Sequence, residues 1–268
     1  MPEENVKSIN LQASTPVLQP YNMKNYILKI ADDTLIMGQR LAEWCGKGPY
    51  LEEDIALTNV ALDYLGQSTN FYKYAVELFA DGRTEDDLAF LRYEHEYLNA
   101  QLVEFPNGDY AQTILKVYFF SVYQKLLYEK LSSSADEHLA ALAQKSLKEV
   151  KYHYTHATTW VKVFADGTEE SKARLQKALD NLWEYTGGLF DEVEGETNLA
   201  KLDIIPDSKN LYGEWKAQVE ADFTSFGLGM PSSEFMQKGS RKGIHTEYFG
   251  YILCELQYMQ RAYPGCEW

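Results

Sequence analysis

The run Val60-Ala61-Leu62-Asp63-Tyr64-Leu65-Gly66-Gln67, set within a longer segment from Leu51 to Phe79, decides how the rest of the chain is read. At 3.6 residues per turn, Val60, Tyr64, Gln67, Phe71, Ala75 and Leu78 fall on one line, so a helix here turns that line towards a core. The middle of the line, Tyr64 and Gln67, is polar and uncharged. The preceding segment repeats the pattern over 22–46, with Met23, Ile27, Ile30, Thr34, Met37, Leu41 and Cys45 on one stripe and Gly46, Gly48 and Pro49 closing it. A connection this short makes the two helices antiparallel neighbours, which sets Thr34 opposite Tyr64.

Further along, Asp81-Gly82 ends the second helix, and Thr84 with Asp87 forms a weaker capping box for a third helix reaching about Glu104. Phe105-Pro106-Asn107-Gly108 is a turn. A helix over 109–131 carries Tyr110, Ile114, Val117, Ser121, Gln124, Tyr128 and Leu131 on its inner line. The next, over 135–165, carries Leu139, Ala143, Ser146, Val150, His153, Ala157, Val161 and Phe164. Three more helices are expected over 169–190, 210–226 and 244–263, with an acidic, irregular piece from Asp191 to Asn210. No strand is expected. The reading is an all-α bundle with additional C-terminal helices, a single domain over 21–268 after a flexible tail over 1–20 that holds Pro2, Pro16 and Pro20.

A chain of 268 residues suits one large core. Its formal charge of −15 repels phosphate backbones and anionic lipid, which argues against nucleic-acid and membrane-surface partners. Cys45, Cys254 and Cys266 have neither metal-site spacing nor an even count, and read as reduced thiols. With no apolar signal core and no long apolar run, the expected location is the cytoplasm.

Four-helix bundles that hold a pair of iron ions do so with about four carboxylates and two histidines, arranged partly as Glu-x-x-His, because the ions need charge compensation and open positions for oxygen. The central positions here are Thr34, Tyr64 with Gln67, Ser121, and Val150 with His153. That set contains one strong ligand, so the expectation is a buried, hydrogen-bonded polar layer in place of a metal site. Asp32, Asp33, Glu43, Asp63 and Glu149 are offset from the inner lines and read as ion pairs or solvated helix edges. His153 and His156, three apart, are the one histidine pair on a shared helical face, a weak grip for a divalent ion at best.

Gln39 to Trp44, Ala61 to Gln67, Pro106-Asn107-Gly108, Lys148 to His153 and the terminal run from Lys242 to Arg261 carry a resemblance to the family of structural C subunits of bacterial phenylacetyl-CoA epoxidases. The resemblance implies a ferritin-like fold and a non-catalytic role. It also implies a ferritin-like catalytic partner that holds the di-iron centre, and no cofactor in this chain. Laid on the catalytic partner's ligand pattern, the first glutamate falls at Thr34 and the first Glu-x-x-His at Tyr64 and Gln67. The third-helix carboxylate falls at Ser121 and the second Glu-x-x-His at Val150 and His153, so His153 alone keeps a ligand. Two other readings stay open: a di-iron oxygenase in its own right with atypical ligands, and an unrelated helical scaffold. Arg241, Lys242 and His245 form a compact basic group near a helix start, suited to an interface or to coenzyme A phosphates. The last helix is aromatic on most sides, and Tyr248, Tyr251, Tyr258 and Trp268 are candidate contacts with the catalytic partner or a second copy of this chain.

Overall fold

The computed structural model describes residues 19–266, with side chains from residue 23 onward. The expected tail therefore lies, up to residue 18, outside the described residues. Two helices, α1 (Gln19–Ala42) and α2 (Leu51–Phe79), form the first antiparallel pair. The second helix stops where Ala80 enters the left-handed region at φ 50° and donates its amide to the Val76 carbonyl. Three short segments follow: α3 (Glu85–Phe90), a 3-10 turn (Glu94–Glu96) and α4 (Gln101–Glu104). The second long pair is α5 (Tyr110–Leu131) and α6 (Glu137–Asp166), capped at their starts by Asp109 and Asp136. These two pairs are the ferritin-like four-helix bundle, and the chain among its described residues has no strand.

The remaining elements are α7 (Glu169–Leu182), a 3-10 stretch (Trp183–Phe190), α8 (Glu196–Lys201), α9 (Ser208–Ser225), a 3-10 turn (Ser240–Lys242) and α10 (Glu247–Ala262). They explain why α5 is buried on almost every side. It meets α6 on one flank and α7 and α9 on another, so Phe119, Phe120, Val122 and Tyr123 are all sealed. Trp215 of α9 donates its indole N–H to the Phe119 carbonyl at 3.1 Å. Around it Phe119, Trp183, Phe190 and Tyr212 pack as an aromatic cluster.

The third helix departs from its expected course. The Thr84 and Asp87 capping box forms with both of its bonds, yet α3 ends at Phe90 and the chain runs irregularly to Glu104. Two buried carboxylates on α1 cause this. Asp32 accepts the Leu98 amide at 2.8 Å and Asp33 the Ala100 amide at 2.7 Å, taking donors that a continuous helix would have used internally. The segment expected as helix over 169–190 is α-helical only to Leu182. It then tightens where Gly187 and Gly188 let Met236 and Ser240 approach to positions a Cβ would occupy. The acidic piece from 191 to 210 contains α8, and α9 begins at Ser208 because Asp207 caps it through the amides of Lys209 and Asn210.

Candidate functional site

At the middle of the bundle Thr34, Tyr64, Gln67, Ser121, Val150 and His153 are all buried. They do not form one mutually bonded layer. The Thr34 hydroxyl donates into its own helix, to the carbonyls of Ile30 and Ala31 at 3.0 Å. The Ser121 hydroxyl donates to the Tyr118 carbonyl at 3.0 Å in the same way. A short hydroxyl on a helix finds the previous turn nearer than any facing helix, and this satisfies both residues locally.

The other groups reach sideways. Gln67 donates to Glu149 at 2.9 Å and accepts from the Tyr128 hydroxyl at 3.4 Å, which itself accepts from Gln124 at 3.2 Å. His153 Nε2 lies 2.9 Å from Asp63 Oδ2. The Tyr64 ring fills the space between helices, 4.7 Å from the His153 ring and 5.6 Å from that of Phe120. Its hydroxyl has no hydrogen-bond partner, and burial, with the Asp63 charge adding, pushes its pKa far above the usual tyrosine range. His156, the other member of the histidine pair, turns to Glu53 at 2.8 Å, a carboxylate that also accepts from Tyr110. The two imidazoles thus serve different carboxylates.

This donor set does not fit a di-iron centre. Six central positions supply one imidazole, already bonded to Asp63, and no carboxylate. Among the described residues, no group of three or more histidine, cysteine, aspartate or glutamate side chains is placed to hold a metal ion.

Of the five offset carboxylates, Asp63 and Glu149 bond to His153 and Gln67, and the other three have gone into ion pairs. Asp32 meets Arg92 and accepts from the Tyr72 hydroxyl at 2.5 Å. Asp33 receives both terminal nitrogens of Arg241, at 2.7 and 2.8 Å. Glu43 pairs with Arg40 at 2.8 Å. Sequence reasoning gave no sign of two further buried clusters. Lys29 of α1 meets Glu196 of α8 at 2.6 Å, and Ser208 donates to the same carboxylate at 2.8 Å. Glu104 takes Asn99 at 2.8 Å, His245 at 2.7 Å and the amide and hydroxyl of Thr246 at 2.7 and 2.6 Å. A third buried group, Lys116, donates to the Phe105 carbonyl at 2.7 Å and to Asn107 at 3.3 Å. Burial, with the Arg40 charge adding and Glu43 opposing, brings its pKa down to about 7. Lys116 was legible as a charge on an otherwise apolar line with Phe120, Tyr123 and Leu127, whereas Lys29 shares its face with Asp32, Asp33 and Arg40 and carried no such signal.

The basic group near the last helix is accordingly divided. Arg241 is fully enclosed on Asp33, and His245 is enclosed on Glu104 and stacked at 4.1 Å on Phe249, which leaves Lys242 as its exposed member. Neither Arg241 nor His245 is presented to a phosphate. On α10, Phe249, Ile252, Leu253 and Gln257 are buried, so one face is covered by this chain itself. Tyr248 is half-buried against Phe105 at 5.6 Å. Tyr251 and Tyr258 stand on the outer face, 74 % and 61 % exposed. Trp268 lies outside the described residues.

No helix among the described residues is long and apolar enough to cross a membrane. The family model described as phenylacetic acid catabolic protein matches residues 8–268. The chain is 41 % identical over 243 residues to the C subunit of the 1,2-phenylacetyl-CoA epoxidase of Escherichia coli (strain K12), a match that covers 91 % of this chain and 98 % of that protein. A match that runs nearly the length of both chains, on a ferritin-like bundle, leads to one conclusion: the chain belongs to the phenylacetic acid catabolic protein family.

Proposed function

We propose that this chain is the non-catalytic structural subunit of a phenylacetyl-CoA epoxidase, binding and stabilising a ferritin-like catalytic subunit that carries the di-iron centre. The observation that carries the reading is the centre of the bundle, where Tyr64, Phe120 and His153 pack their rings together and no carboxylate faces inward from Thr34, Ser121 or Val150. Oxygen activation at a di-iron pair needs negative ligands to offset the metal charge, and a ring-filled centre supplies neither the charge nor the room. The work of this subunit is then to present a surface. The outer face of α10 is the candidate, because Tyr251 and Tyr258 offer large contact areas at low entropic cost while their helix is held from beneath by Phe249 and Ile252.

The test is to purify the full chain alone and together with its catalytic partner. Alone, it is expected to hold no stoichiometric iron after anaerobic loading and to consume no oxygen with phenylacetyl-CoA; together, the pair is expected to co-purify and turn over. Stoichiometric iron and substrate-dependent oxygen uptake by the isolated chain would establish the rival reading, an oxygenase with atypical ligands. Replacing Tyr251 and Tyr258 by serine is expected to weaken the complex without lowering the melting temperature.

A further inference from the structure

The additional elements enclose two of the four bundle helices and leave the other two bare on one side. Among the described side chains, α1 and α5 are buried along almost their whole length, whereas α2 and α6 each keep an exposed line. These two helices are joined across their seam by Asp63 with His153 at 2.9 Å, Gln67 with Glu149 at 2.9 Å and Glu53 with His156 at 2.8 Å. Their outer lines therefore form one face. The last helix is placed elsewhere, packed against α1, α3 and α4.

Charge on this face is of one sign. Between Ile55 and Lys73 of α2 and between Ala141 and Val163 of α6, every exposed charged side chain is a lysine: Lys73, Lys145, Lys148, Lys151 and Lys162. Lys73 has Glu85 at 3.7 Å, while the four lysines of α6 are without a carboxylate partner. Asp63 and Glu149, half-buried in the same span, keep their charge, so four unpaired lysines stand against two carboxylates. In the chain as a whole the balance is the reverse, with 25 lysines and arginines to 40 aspartates and glutamates. The ground between the lysines is apolar. Leu62, 60 % exposed, stands out of it with Ile55 and Tyr152. One turn after Leu62 comes Gly66, where an added Cβ would meet nothing within 4 Å beyond its own turn of helix. Glycine weakens a helix interior, and no packing within this chain requires one at that position. Its missing side chain leaves a notch in α2 where another backbone can approach closely.

We propose that the outer face of α2 and α6 is a docking surface for an acidic helix of a different protein, whose apolar side meets Leu62, Gly66 and Tyr152 and whose carboxylates meet the lysines of α6. An apolar centre with a charged rim is the anatomy of a protein interface, and two parallel ridges with a notch between them suit a helix laid along the groove. Charge selects the occupant. A second copy of this chain, paired about a two-fold axis, would set the lysines against themselves. A phosphate backbone would meet the lysines but leave Ile55, Leu62 and Tyr152 uncovered, and it is repelled by the chain's net charge of −15. The inference rests neither on the structural role proposed above nor on the exposed tyrosines of α10.

The experiment is fluorescence anisotropy of the full chain with a labelled synthetic helical peptide that carries leucines along one face and glutamates on both flanks. Saturable binding in the roughly micromolar to millimolar range is expected at low salt, weakening as ionic strength rises. Lys148→Glu with Lys151→Glu should weaken it about tenfold or more, whereas Lys177→Glu, an exposed lysine on α7, should leave it unchanged. Gly66→Gln should weaken binding while holding or raising the melting temperature, because it fills the notch and removes a helix-weakening residue. The same peptide with its leucines changed to serine should bind less well. The absence of saturable binding would overturn the proposal, as would unchanged affinity in the folded double-lysine variant. Equal binding of the serine peptide, or tighter binding of a single-stranded oligonucleotide of matched charge, would overturn it too, by reducing the face to a general site for polyanions.

Discussion

Replacing Arg241 by methionine removes a guanidinium with 0 % side-chain exposure that joins the C-terminal turn to the first helix. Its Nη1 donates to Asp33 and to the Leu98 carbonyl, each at 2.7 Å; its Nη2 donates to Asp33 at 2.8 Å and to the Leu189 carbonyl at 3.3 Å. Three other segments, at Asp33, Leu98 and Leu189, therefore lose a shared partner. Methionine fills much of the volume, so the cost comes from what is left behind: a buried Asp33 carboxylate with the Ala100 amide as its remaining donor. Breaking a buried pair from one side costs about 3 to 5 kcal/mol, a large fraction of a total stability of the order of 5 to 15 kcal/mol. In urea unfolding followed by circular dichroism, the midpoint should fall by roughly a third with the slope unchanged. Adding Asp33→Asn should cost much less than a second independent loss, because the stranded charge is gone. A loss below about 1 kcal/mol for Arg241→Met, or simple additivity in the double variant, would refute the idea that burial of this pair ties the chain's end to its beginning.

Two further outcomes are expected. Tyr64→Phe should leave stability unchanged or raise it by roughly 0.5 to 2 kcal/mol, since it removes a buried hydroxyl without a partner and keeps the ring contacts with His153 and Phe120; a loss of more than about 1 kcal/mol on thermal unfolding would count against that account. Lys116 binds its proton more weakly folded, at about 7, than at its ordinary 10.5, so between these values the unfolded chain holds the extra proton and this residue makes stability rise with pH. Its penalty is full below pH 7 and relieved above it, and Lys116→Met should flatten the stability profile over that window by roughly 3 to 5 kcal/mol; parallel wild-type and variant profiles would exclude the effect.

The long helices, their inward lines and the residue types at the bundle centre could be read from local pattern. The 3.6-residue repeat of Val60, Tyr64, Gln67 and Phe71 is a property of one segment, and burial follows it whatever the neighbouring segment is. The identity of Thr34, Ser121 and Val150 likewise says at once that no carboxylate stands there. What local pattern could not supply was the pairing of charges. Asp33 and Arg241 are 208 residues apart and Lys29 and Glu196 are 167 apart, and nothing in either local sequence names the other.

That pairing then changed local structure. Asp32 and Asp33 took the amides of Leu98 and Ala100, which broke the helix expected between Thr84 and Glu104. It also withdrew Arg241 and His245 from the surface, although their spacing beside a helix start suits an anion. The sequence alone thus determined the all-α class, the long helices and which residue types stand at their centre, because each depends on residues within a few turns. Tertiary structure decided which charged groups are enclosed, where the third helix breaks and which aromatics on α10 face outward. Those depend on what the fold brings within about 3 Å, and hydrogen bonds and ion pairs are decided at that range.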